Sequence, residues 1–235
     1  MYKNKRILAI IPARKGSKRI PGKNKVDLNG IPLIEWTIKA AIDSCFIDKV
    51  IISTDDRDIV EIASRLGVPP PFTRPGHLSS DSSSRYDVIK HTLDYISDNE
   101  NNIYDFIMYL QPTSPCRNSM HIDNSIEYLH EKKADAIVSV SKVGHPINWT
   151  TTLPEDSSLE NYTDNLDASA RSQDYSDAYI PNGAIFLCSV EMFKKYKCMY
   201  IKENIYAFIM SRNDSIDIDN YFDLKIAGCI LKEGL

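Results

Sequence analysis

The chain has 235 residues, 43% of them apolar, and a formal net charge of −4. That is enough to bury a full core in one α/β domain with room for a small appendage. The acidic balance excludes wholesale nucleic-acid binding, which needs a basic face. No apolar run reaches the ~18–20 residues of a membrane span.

Apolar runs then alternate with helical patterns. Residues 7–11, "ILAII", read as a buried strand, and a loop rich in Lys and Arg follows. "LIEWTIKAAIDS" (33–44) has helical spacing and "KVIIST" (49–54) is a β-branched strand. "DIVEIASRLG" (58–67) reads as a helix closed by Gly67. "RYDVIKHTLDYI" (85–96) predicts a helix, with Asp81 either capping it or facing a ligand. Strand 105–110, helix 121–132 and strand 135–140 continue the alternation. Such spacing implies βαβ units and a mostly parallel, Rossmann-like sheet flanked by helices.

Residues 141–181 break the pattern, being polar and without a sustained period. Forty such residues are too many for an ordinary loop. Either they are partly disordered or, with Trp149, Tyr162, Tyr175 and Tyr179 available for burial, they form an arm, inserted between residues 1–140 and 182–235, that packs on a partner chain. Strands at 183–189 and 205–211 and an amphipathic helix at 221–232 complete the chain. Five widely spaced cysteines without a CxxC pair predict reduced thiols and a cytoplasmic protein. A charged N-terminus running into a strand predicts no signal peptide. The five histidines show no metal-ligand spacing.

Charge is unevenly placed. Residues 1–26 hold nine Lys or Arg and no acid. Six of the nine lie in "IIPARKGSKRIPGKNK" (10–25), directly after the first strand. A first βα loop sits at the carboxyl end of the sheet, where open α/β folds bind ligands. Gly16 and Gly22 let backbone N–H groups line an anion site. Arg14, Lys15, Lys18, Arg19 and Lys23 then surround it, as a triphosphate requires. A basic surface turn is the alternative. The loop is neither a Walker P-loop, since Asn24 follows Lys23, nor GxGxxG.

In "SIDIDNYFD" (215–223), Asp217 and Asp219 alternate with Ile216 and Ile218. At strand period the two carboxylates face one way. Side by side they repel unless a cation intervenes, and Mg²⁺ (or Mn²⁺) binds through such carboxylates together with phosphate oxygens. A helix N-terminus with acidic caps is the other reading. Together, the loop and the pair fit phosphoryl transfer from a metal–nucleotide complex.

"IIPARKGSKRIPGKN", "ISTDD" (52–56), "RPGHLSSD" (74–81), "LQPTSP" (110–115), "PNGAIF" (181–186) and "SIDID" (215–219), in this order, resemble the motifs of the N-acylneuraminate (CMP-sialic acid) cytidylyltransferases. The resemblance, which includes legionaminate- and pseudaminate-type relatives, runs from about residue 7 to 232. It implies a nucleotidyltransferase fold and the transfer of CMP from CTP to the anomeric 2-hydroxyl of a nine-carbon 2-keto sugar acid, with release of pyrophosphate. It implies that Arg14, Ser17, Lys18, Lys23, Asn24, Arg74, Thr113 and Ser114 hold the nucleotide. Arg14 and Lys23 would steady charge in the reaction, and Asp217 and Asp219 would bind the metal, with Asp219 also taking up a proton. On the sugar side it implies Gln111, Asn182 and Tyr179, with Arg171 as the carboxylate partner or a solvated arginine. It further implies a homodimer in which residues 141–181 complete the partner's sugar pocket. The chain departs from the family at Asn148, Ser172 and Arg85. An eight-carbon 3-deoxy-octulosonate enzyme is the second enzymatic reading, and a non-catalytic nucleotide-binding protein of the same fold is the third.

Overall fold

The computed structural model describes residues 1–80, 82–100, 102–163 and 171–233. Asp81, and residues 164–170 of the expected arm, therefore lie outside the described residues. The first apolar run is strand β1, Ile7–Ala13. A small hairpin, β2 (Asp27–Leu28) with β3 (Ile31–Pro32), ends the basic loop and leads into helix α1 (Leu33–Ile42). Then come β4 (Lys49–Thr54), α2 (Arg57–Arg65), α3 (Arg85–Asn99), β5 (Phe106–Tyr109), α4 (Ser119–Lys132) and β6 (Ala136–Lys142). The short α5 (Glu160–Thr163) precedes β7 (Tyr179–Ser189), α6 (Val190–Tyr196), β8 (Ile205–Met210) and α7 (Tyr221–Glu233).

Among the described residues the main sheet has six strands in the order β4-β1-β5-β7-β6-β8. β4, β1 and β5 pair in parallel, as do β6 and β8, while β7 runs antiparallel between β5 and β6. The alternation of β1 divides the core. Ile7, Ala9 and Ile11 face a layer with α1, α2 and α4, whereas Leu8 and Ile10 face the layer holding Ile89 and Ile96 of α3 and Phe193 of α6. At about 1.5–3 kcal/mol for each large side chain removed from water, these two layers carry the fold.

Helix starts are set by local chemistry. Asp56 accepts from Asp58 N to cap α2, Ser84 accepts from Asp87 N to cap α3, and Asn118 forms a capping box with His121 for α4. The helix at 58–67 ends as expected, with Gly67 at φ +81°.

Two features place the functional rim. β1 lies between β4 and β5, so the loops leaving β1 and β5 stand side by side at the carboxyl end of the sheet and leave a crevice between them. Because β7 runs backwards, its first residues lie at that same end, beside the loop that leaves β5. A third cluster joins Ile20 of the basic loop to Leu28, Leu33, Ile218 and Ala227 of α7, so the C-terminus is folded against the loop.

Candidate active site

A cleft of about 340 Å³ opens over the carboxyl ends of β1 and β5. Arg14, Ser17, Lys23 and Asn24 line it from the basic loop, Arg74 and the 83–85 turn from a second side, and Gln111 and Thr113 from a third. The loop is built for this. Gly22 sits at φ +63°, the left-handed region, and turns the chain into a 3-10 turn, Lys23–Lys25. Asn24 Nδ2 donates to Arg14 O at 3.1 Å and closes the loop on itself. Lys15 N donates to Asp55 Oδ1 at 2.8 Å, and Lys25 pairs with Asp56 and Asp58 at 2.9 and 2.5 Å. The "ISTDD" stretch thus anchors the loop from β4. The Asp58 hydrogen bond, then Asp56, raises the Lys25 pKa.

The cationic loop meets the C-terminal aspartates. Lys23 Nζ donates to Ile218 O at 2.7 Å and lies 3.5 Å from Asp219 Oδ1, and Arg19 pairs with Asp219 Oδ2 at 2.5 Å. Desolvation opposes ionisation of Asp219, but Arg19 and Lys23 outweigh it and hold its pKa below the usual value. Asp217 is open to solvent on one side. Even so, the protein around it desolvates the carboxyl and raises its pKa; the hydrogen bond with Thr113 opposes this, and repulsion from Asp219 adds to it. The two carboxylates are close enough to repel each other.

The strand expected at 215–219 is corrected: these residues form no ladder. Asn213–Ser215 is a 3-10 turn, and the extended segment after it is tied to the β5 loop by a backbone bond, Ile218 N to Thr113 O at 2.8 Å. The alternation persists, with Ile218 fully buried. Asn220, rather than Asp219, caps α7, its Oδ1 accepting from Phe222 N and Asp223 N at 2.8 and 3.2 Å.

The remaining candidates are distributed as follows. Lys18 is on the cationic loop. Arg74 is buried at the cleft wall, its Nε donating to Ser53 Oγ at 2.9 Å, and burial lowers its pKa. Ser114 is fully buried, its Oγ without a partner among the described residues, and does not line the cleft. Asn182 is committed to the interior, its Oδ1 accepting from Ser139 Oγ at 2.5 Å and its Nδ2 donating to Ser215 Oγ at 2.8 Å. Gly183, at φ +77°, does reach the rim, where an added Cβ would lie 2.7 Å from Gln111 Oε1.

Arg171 and Tyr179 are exposed and do not line this cleft. Arg171 N donates to Asp174 Oδ2 at 2.7 Å, and Tyr179 pairs with Lys142 at the start of β7. A second cavity, of about 410 Å³, lies beside them between His145 and Tyr175. Arg85 lines the first cleft with its guanidinium 4.0 Å from the Phe186 ring centre and 5.2 Å from that of Tyr109. Sequence reading missed Asp55, Asp56 and Lys25 as loop anchors, and Tyr109 and Phe186 as the platform for Arg85. The charge pattern near "ISTDD" was a signal for the first group. Nothing local marked the aromatic pair.

The cytidylyltransferase family model matches residues 8–222. The chain is 38% identical over 219 residues to the N-acylneuraminate cytidylyltransferase of Streptococcus agalactiae serotype V, covering 92% of this chain and 51% of that protein. It is 32% identical over 225 residues to the pseudaminic acid cytidylyltransferase of Campylobacter jejuni, covering 96% of each. It spans only about half the length of the streptococcal relative. Its fold is similar, at a TM-score of 0.69 and 15% identity, to a solved structure of CMP:2-keto-3-deoxy-manno-octonic acid synthetase complexed with CTP, covering 98% of this chain and 100% of that one. A cationic loop closed on a pair of aspartates, on a sheet of this topology, is thus joined to sequence similarity along nearly the whole chain, and the chain belongs to the cytidylyltransferase family, with N-acylneuraminate and pseudaminic acid cytidylyltransferases among its relatives.

Proposed function

We propose that this chain transfers CMP from CTP to the anomeric 2-hydroxyl of a nine-carbon 2-keto sugar acid and releases pyrophosphate. The observation that carries the reading is the meeting of Lys23 and Arg19 with the 217–219 segment at the edge of the cleft. The names of the relatives at 38% and 32% identity support a nine-carbon acid over the eight-carbon one.

CTP enters with its triphosphate against the basic loop. Arg14, Ser17, Lys18, Lys23 and Asn24 bind it there, each charge-assisted bond contributing about 1.5–3 kcal/mol, and Arg74 stiffens the opposite wall. The sugar hydroxyl attacks the α-phosphorus in line, the bond to the β-phosphate oxygen breaks, and pyrophosphate leaves with that electron pair. Arg14 and Lys23 neutralise charge on the phosphates. Asp219 is the candidate acceptor of the hydroxyl proton, and Gln111 faces the sugar. Asp217 and Asp219 are hard-oxygen donors whose mutual repulsion a cation would relieve, which fits Mg²⁺ or Mn²⁺. Bound there, the ion would supply charge neutralisation to the phosphates.

Arg171, Tyr179 and residues 141–181 as a whole fit a role across a homodimer. The cavity between His145 and Tyr175 shares no lining residue with the first cleft, and Ile147, Leu153, Leu159 and Ile180 of this stretch expose apolar surface.

Pyrophosphate release from CTP should be measured against a panel of 2-keto sugar acids. We expect release with a nine-carbon acid and none without one. No release with any acid, or release with the eight-carbon acid alone, overturns the reading.

A further inference from the structure

Arg117 stands between the β5 loop and the cap of α4, and its residue is only 1% exposed. Its Nη2 donates to Thr37 Oγ1 at 2.8 Å and, more distantly, to Gln111 O at 3.5 Å. Its Nε and Nη1 have no partner, and no carboxylate pairs with it among the described residues. Burial lowers its pKa to about 10, which still leaves it protonated at neutral pH. An interior cation without a counter-charge is a cost to folding, and a neutral side chain of similar shape would avoid it.

The neighbours of this cation indicate its use. Gln111 O is a hub that also accepts from Thr37 Oγ1 at 3.4 Å and from Ser114 N at 3.3 Å. The turn closed on that hub carries Gln111 into the cleft and presents Thr113 to the carboxylate segment. Thr113 accepts from Ile218 N at 2.8 Å through its carbonyl, and Ile218 adjoins Asp217.

We propose that Arg117 is a positioning residue for the reaction: from beneath, it fixes the 111–114 turn and, through Thr113, the place of Asp217 relative to the cleft. The inference rests on the cytidylyltransferase reading above. It gives Arg117 no contact with substrate, and it places this residue on a stretch of chain separate from residues 14–24 of the basic loop.

The test compares wild type, Arg117→Met, Arg117→Lys and Thr37→Val in the full chain. Melting temperature, CTP affinity by calorimetry without sugar acid, and steady-state kinetics are measured for each. For Arg117→Met we expect an unchanged or higher melting temperature and CTP affinity within about threefold of wild type, with kcat lower by on the order of 100-fold, the scale of a small misplacement of reacting groups. Arg117→Lys and Thr37→Val should fall between. A kcat within about threefold of wild type in Arg117→Met overturns the proposal, as does a parallel loss of stability, CTP binding and kcat, which would mark a packing residue. Should Arg117→Met fail to fold, unaltered kcat in both other variants overturns it equally. A wild-type chain that binds CTP but turns over no sugar acid would instead overturn the functional reading itself.

Discussion

Lys23 shows how one side chain joins the two halves of the site. Its ammonium meets Ile218 O and Asp219, 195 and 196 residues away in the chain. Lys23→Ala should weaken CTP binding by roughly ten- to a hundredfold, the equivalent of one charge-assisted contact. Calorimetry would read this directly, and an unchanged affinity would place the cradle elsewhere. Asp217→Ala should lower turnover by on the order of 100-fold or more with an unaltered circular dichroism spectrum, because the charge it contributes acts on the reaction and not on the core. Gly183 makes a different argument. Alanine there would enter the left-handed region, at about 1–2 kcal/mol, and press on Gln111. Urea unfolding should show that loss, and the KM for the sugar acid should rise while CTP affinity holds.

At the level of elements, a loop this charged needs an apolar anchor. Ile20 is fully buried with Leu28, Leu33, Ile218 and Ala227. That small cluster fixes the apex of the cationic loop and the carboxylate segment against each other. Ile20→Ala should cost about 2–5 kcal/mol of stability and also weaken CTP binding, although Ile20 touches no phosphate. A variant that loses stability but keeps wild-type CTP affinity would show that the loop holds its shape without the anchor. The elements with strong periodicity, β1, β4, α2, α3, β5 and α4, were legible in the sequence to within a few residues. The β2–β3 hairpin and the seven-residue α6 were not, since two-residue strands and a two-turn helix carry too little pattern to read.

Over the whole molecule, stability should depend on pH through its histidines. Burial lowers the pKa of His91, His121 and His130 below 6.5, and one ring nitrogen each of His91 and His130 is buried without a partner among the described residues. The unfolded chain therefore takes up protons first. Stability should be complete above about pH 6.5 and fall as the pH drops through that value toward the depressed folded-state pKa values. Melting temperatures at pH 7.5 and 5.5 would test this, and an equal or higher value at pH 5.5 would contradict it. Light scattering across a concentration series tests the homodimer, with a monomer at all concentrations as the contrary result.

By itself the amino-acid sequence determined where the longer strands and helices lie, that positive charge gathers after the first strand, and that two aspartates alternate with two isoleucines. These are properties of neighbours a few residues apart, and local periodicity and charge record them. Only the tertiary structure decided that β7 runs backwards, which brings Gly183 to Gln111. It alone brought Arg19 and Lys23 to Asp219, turned Asn182 inward, and left Arg117 beneath the β5 loop as a cation with no carboxylate partner among the described residues. Each of these depends on contacts between segments far apart in the chain, and which segments meet is settled by how the whole core packs.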